Sequence, residues 1–158
     1  MAVLREDQLA AYVSAIYEVE VDGRWIAAST LTSASQATPA ALISASNPYS
    51  QVLPDSENCE RHAHFRSRIA AAGCECRPAR GRAADFSWTE DGWLVWAPSD
   101  LVDQWARAYQ QHAVFLQPAR PNDRATLRLY SEPAAGLRIP RLGEFELDWS
   151  GCDLPSDD

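Results

Sequence analysis

The sequence predicts an α/β fold, with α+β as the open alternative: a mixed, mostly buried β-sheet with an N-terminal hairpin and about three helices in a single domain. Three observations predict it. Residues 40–46 (AALISAS) and 92–97 (GWLVWA) are apolar on both alternating faces, as strands buried on two sides are. Stretches of helical periodicity lie between such runs. Asp22-Gly23, set between two short apolar segments, is a strong signal for a tight hairpin turn.

In chain order, residues 4–16 have helical spacing, with Leu9, Tyr12, Val13 and Ile16 on one side and Glu6 and Asp7 in the first turn. Residues 17–21 and 24–29 form the hairpin, and the Ser-, Thr- and Ala-rich stretch 31–39 reads as a loop. The strand at 40–46 is broken by Asn47-Pro48-Tyr49-Ser50. The clearest helix spans 56–72, with Ser56 as its cap, Glu57 and Glu60 near its N-terminus and Gly73 ending it. A strand at 74–78 precedes an irregular polar stretch that runs to Asp91. Ser99 caps a helix over 100–110 that turns Leu101, Val102, Trp105, Ala108 and Tyr109 inward. Strands follow at 113–116 and 125–130. Beyond Tyr130 the segment is punctuated by Pro133, Gly136, Pro140 and Gly143, and only 144–149 is strand-like. No repeat or linker divides the chain, so residues 1–150 are expected as one domain and 151–158 as a frayed acidic tail.

Charge narrows the function. The 158 residues carry 14 cationic against 22 acidic side chains, a net charge of −8. Nucleic-acid binding by counterion release and binding to anionic membranes are both disfavoured. Arg77, Arg80 and Arg82 lie close in sequence, and the simpler reading is a solvated loop. Every cation is arginine, which excludes Schiff-base and phosphate-loop lysine chemistry. The N-terminus lacks the apolar core of a signal peptide, and no run is long enough to span a membrane. A cytoplasmic protein with free thiols is the expectation.

Motif chemistry is mostly missing. No two glycines form the G-x-G of a dinucleotide or phosphate loop, and neither G-x-S-x-G nor H-E-x-x-H occurs. Cys59 and His62 are about 60° apart on a helical wheel, and Cys74 and Cys76 share a strand face. That set matches no common zinc module, so neither metal nor cofactor is expected and free thiols are the simpler reading.

Four segments together carry a resemblance: ISASNPYSQ at 43–51, Glu57-Asn58, the W-x-E of Trp88 and Glu90, and YQQHAV at 109–114. In order and spacing they resemble a bacterial family of unknown function, DUF3293, over roughly residues 9–117. The chain departs from the family pattern at Ser44, where threonine is usual, and at Gln110, where glycine is usual. The resemblance implies a small bacterial cytoplasmic protein and carries no assigned activity. It singles out Asn47, Ser50, Asn58, Glu90 and Gln111.

Physical reading makes some of these unusual. Asn58 lies within about 20° of Phe65 on the helical wheel, so an amide sits on the buried stripe and needs a partner. Asn47 ends a buried strand, and Gln111 stands between a helix and the next strand. Clefts form at such ends. Two readings follow. In the first, Asn47, Ser50, Asn58 and Gln111 bind a small ligand and Glu90 is a general acid or base. In the second, the same residues are a folding lock in a structural or protein-interaction domain, and Glu90 is a solvated loop acid. The partner is then a small molecule or a protein, not nucleic acid or membrane.

Overall fold

The computed structural model describes residues 3–30, 40–117, 124–133 and 145–149. The predicted loop at 31–39 and the tail at 151–158 lie outside them.

The two apolar runs form the middle of an eight-stranded sheet. β4 (Ala40–Ile43) is buried at every position. It lies between β6 (Thr89–Trp96) and β7 (Ala113–Leu116). Outward from β6 come β5 (Cys76–Arg82), β2 (Ile16–Val21) and the edge strand β3 (Arg24–Ala27). Outward from β7 come β8 (Ala125–Leu129) and β10 (Phe145–Trp149). Pairing is antiparallel throughout, except that β10 runs parallel to β8. A two-stranded parallel pair joins β1 (Val3–Leu4) to β9 (Glu132–Pro133).

Period-2 alternation sends the side chains to two cores. On one face Ala41, Ile43, Trp93, Val95 and Val114 meet α2 (Asp55–Ala71) and α3 (Ser99–Ala108) through Phe65, Ile69, Val102, Trp105 and Ala106. On the other, Leu42, Leu94, Phe115 and Leu127 meet Tyr12 and Val13 of α1 (Glu6–Ser14). The result is the predicted α/β layering, a large sheet covered by three α-helices among the described residues.

Several local expectations need correction. Leu4 belongs to β1 and Ile16 to β2, so the first helix is shorter than its periodicity suggests. Helices α2 and α3 start at Asp55 and Ser99, behind Pro54 and Pro98 as N-caps, and neither is capped by a side chain. Ser56 and Ser99 are therefore helix residues, not caps. The stretch read as irregular is a long hairpin: β5 and β6 pair from Cys76 opposite Val95 to Arg82 opposite Thr89. Arg80 and Arg82 are strand residues there. Both bind Glu18 of β2, at 2.9 and 2.6 Å.

Candidate functional site

The site is assembled where β4 ends. After Ile43 the backbone of β4 passes so close to β6 that a Cβ on Gly92 would lie 2.8 Å from the Ile43 carbonyl oxygen. Ser44 Oγ then donates to the Asp91 carbonyl at 2.9 Å and accepts from the Ser46 amide at 3.0 Å. The chain next turns sharply. Asn47, Tyr49 and Ser50 all have positive φ, at 49°, 50° and 60°. Left-handed backbone at a non-glycine residue costs roughly 1–3 kcal/mol, so the turn must be held by its surroundings.

Asn58, in the first turns of α2, does much of that holding. Its Oδ1 accepts the Asn47 amide at 3.0 Å and its Nδ2 donates to Asn47 Oδ1 at 2.8 Å. Asn47 Oδ1 also accepts the Leu53 amide at 3.0 Å. What remains of Asn47, its Nδ2, donates to Glu90 Oε2 at 3.1 Å. Asn47, Asn58 and Glu90 are thus one hydrogen-bonded chain across three elements. One turn along α2, Arg61 bonds the carbonyls of Ala45 and Tyr109, at 2.5 and 2.9 Å, and ties the same loop to the end of α3.

Gln111 enters from behind. It is 4% exposed, and its Nε2 donates to the carbonyls of Ser46 and Tyr109 at 2.9 and 3.0 Å. Gln110 before it has φ 55°, and the amides of Gln110 and Gln111 return to the carbonyls of Arg107 and Ala106. This is a left-handed helix stop, a conformation that glycine adopts most readily. Ser50 lies apart from the amide chain, 3.4 Å from the Tyr12 hydroxyl.

Glu90 separates two hollows. An outer cleft of about 280 Å³ is lined by Asn47, Asp55, Asn58, His62, Glu90 and Asp91 among others. A smaller pocket of about 50 Å³, on the α1 side of the sheet, is walled by Tyr17, Leu42, Gly81, Trp88 and Phe115, with Tyr12, Gln111 and Glu90 also on its lining. Burial pushes the Glu90 carboxyl above the usual carboxylate range. The Asn47 hydrogen bond and the nearby Ser44 hydroxyl pull the other way, and Asp91 adds to the rise. Burial likewise raises Tyr12 and Tyr17, and the Glu90 charge contributes to both. On the cleft side, the His62 ring stacks on Trp93 with centroids 4.4 Å apart. Burial holds that imidazole below its ordinary pKa, against the attraction of Asp91.

Glu90 is thus a half-buried strand residue and not a solvated loop acid. Sequence reasoning did not find Tyr12, Tyr17, Ser44, His62, Gly81 or Asp91 as neighbours of the site. Only Gly81 left a signal, since glycine inside a strand often marks a close approach or a gap. Among the described residues no three His, Cys, Asp or Glu side chains are grouped to hold a metal. No helix among them is long and apolar enough to cross a membrane.

The amide chain and the helix stop fall within the segments that carry the resemblance, and comparison with family models agrees. The model of DUF3293, described as a protein of unknown function, matches residues 43–114. The DUF3293 match is just short of half the chain, and it contains Asn47, Ser50, Asn58, Glu90 and Gln111. Neither curated proteins nor solved structures match the chain.

Proposed function

We propose that the protein binds a small polar molecule in the cleft at the end of β4, with Glu90 as the group that engages it. One observation carries this reading. Glu90 is a carboxylate drawn into the sheet, standing at both hollows and oriented by Asn47, with no ion pair among the described residues. An uncompensated charge in such a place is costly, and folds keep one where function needs it.

The polar set then divides into two jobs. Asn47, Asn58 and Gln111 direct hydrogen bonds to one another and to backbone, which supports a positioning role. Glu90 is the member left to face a ligand. A carboxyl raised toward neutrality can carry a proton in either direction, so acid–base chemistry on the bound molecule fits this site. A bacterial cytoplasmic setting fits the free thiols of Cys59, Cys74 and Cys76.

The folding-lock reading is favoured by the same amide bonds, and one screen separates the two. Nucleotides, sugars, amino acids and amines are tested for thermal stabilisation of the wild type and of Glu90→Gln. The ligand-site reading expects at least one compound to stabilise the wild type alone and to shift the side-chain amide resonances of Asn47 and Asn58. If no compound in any charge class does so, the polar set is a lock and this reading fails.

A further inference from the structure

We propose that the molecule this site takes is a primary ammonium with a short apolar tail, the ammonium on Glu90 and the tail in the pocket beneath Trp88. The proposal rests on the reading of Glu90 given above and adds the chemical class.

The first argument compares carboxylates. Glu18 is drawn into the sheet and is met by two guanidinium groups, Arg80 at 2.9 Å and Arg82 at 2.6 Å. Asp103 is met by Arg128 at 2.8 Å. Among the described residues the side chain that donates to Glu90 is the Asn47 amide, with the Ser44 hydroxyl nearby, and the charge that acts on it is Asp91, of the same sign. The fold supplies a cation to Glu18 and Asp103 and leaves Glu90 for something that enters.

The second argument is the lining. Among the described residues no arginine borders either hollow, and the chain has no lysine. Asp55, Glu90 and Asp91 all border the outer cleft, so an anionic ligand would be repelled there. The third is shape. The inner pocket has aromatic and aliphatic walls and a volume of about 50 Å³. A cavity that takes up benzene has about 150 Å³, so the pocket suits a few carbon atoms and not a ring. Tyr12, Tyr17 and Trp88 also present aromatic surface near the carboxylate, which suits an ammonium.

The test uses three size-matched probes on the isotope-labelled full chain: n-propylammonium, 1-propanol and propionate, followed by NMR. Propylammonium is expected to shift the Trp88 indole and the Asn47 side-chain amide, with 1-propanol weaker and propionate silent. Glu90→Gln should weaken propylammonium by about tenfold or more, the worth of a hydrogen bond to a charged group. Gly81→Ala is a second, independent variant: its Cβ would sit 3.6 Å from Tyr17, an ordinary contact that leaves the strand intact and fills the pocket. It should weaken propylammonium and leave methylammonium unchanged. Equal binding of 1-propanol or propionate would overturn the ligand class while leaving the Glu90 site standing. Propylammonium shifts that survive Glu90→Gln, or no shift from propylammonium at all, would also overturn it. Whether Glu90 has some other ligand is then decided by the wider screen.

Discussion

Asn47 Nδ2 donates to Glu90 Oε2 at 3.1 Å, across 43 positions of sequence. The bond exists because Asn58 has already taken the other end of the Asn47 amide, at 2.8 Å. A helix residue thereby aims a turn residue at a strand carboxylate, and the following predictions test that chain link by link.

Asn58→Ala removes the acceptor of the Asn47 amide and the donor to Asn47 Oδ1 together. Buried polar groups left without partners cost on the order of 1–3 kcal/mol, and urea unfolding should show a loss of that size. Asn58→Asp keeps the acceptor but sets a carboxylate oxygen against Asn47 Oδ1 in an acidic cleft, and should lose at least as much.

At Asn47 the backbone is left-handed, with φ 49°. Asn47→Gly and Asn47→Ala both lose the side-chain bonds, but only alanine pays for the conformation. Alanine should be less stable than glycine by roughly 1–2 kcal/mol in the same assay. Equal stabilities would mean that the turn is not held in this form.

Gly92→Ala should be among the more damaging single-methyl insertions in the chain. The added carbon would meet Ile43 backbone at 2.8 Å, and backbone cannot step aside as a side chain can. Overpacking of this kind costs about 1–3 kcal/mol or more. It should also separate Ser44 from Asp91 and broaden the resonances of the cleft.

Glu18 tests pH dependence in the ordinary direction. The Arg82 hydrogen bond holds its carboxyl below the usual range against the opposing effect of burial, with Arg80 adding to the fall. A carboxyl lowered in the folded state stabilises above its unfolded pKa, and that contribution is lost as pH falls through the folded pKa. Glu18→Gln should therefore be less stable than wild type at neutral pH, and the gap should close in acid. A gap that does not change with pH would exclude the ion-pair account.

How much of this was legible depended on whether the signal was local. Asp22-Gly23 announces its turn because both residues adopt positive φ, at 50° and 76°. Gly73 ends α2 for the same reason, with φ 71°. The strand expected at 74–78 is the start of β5, and its continuation to Arg82 was hidden because its inward positions, Ala79 and Gly81, are too small to show alternation between arginines. The helix starts were misplaced by one residue because serine suggests a cap, whereas Pro54 and Pro98 occupy the cap position without offering a side-chain acceptor. Asn47, Asn58, Glu90 and Gln111 were singled out through the resemblance, and burial on the helical wheel marked Asn58 independently. Their setting was not legible, since Tyr12 of α1, Ser44 just past β4 and Gly81 of β5 reach the site from separate parts of the chain that only the sheet order brings together.

The central claim is that Glu90 is kept for a ligand at some expense to the fold, and its stability against pH tests this most directly. Its folded pKa is raised, so the cost of burying the charge is absent below the unfolded carboxyl pKa, grows as pH rises through the folded value, and is complete above it. Glu90→Gln retains an acceptor for Asn47 and removes the charge. The account predicts that thermal unfolding across pH finds Glu90→Gln more stable than wild type at neutral pH, with the difference vanishing in acid. A variant less stable than wild type at every pH would contradict it and make Glu90 a structural acceptor.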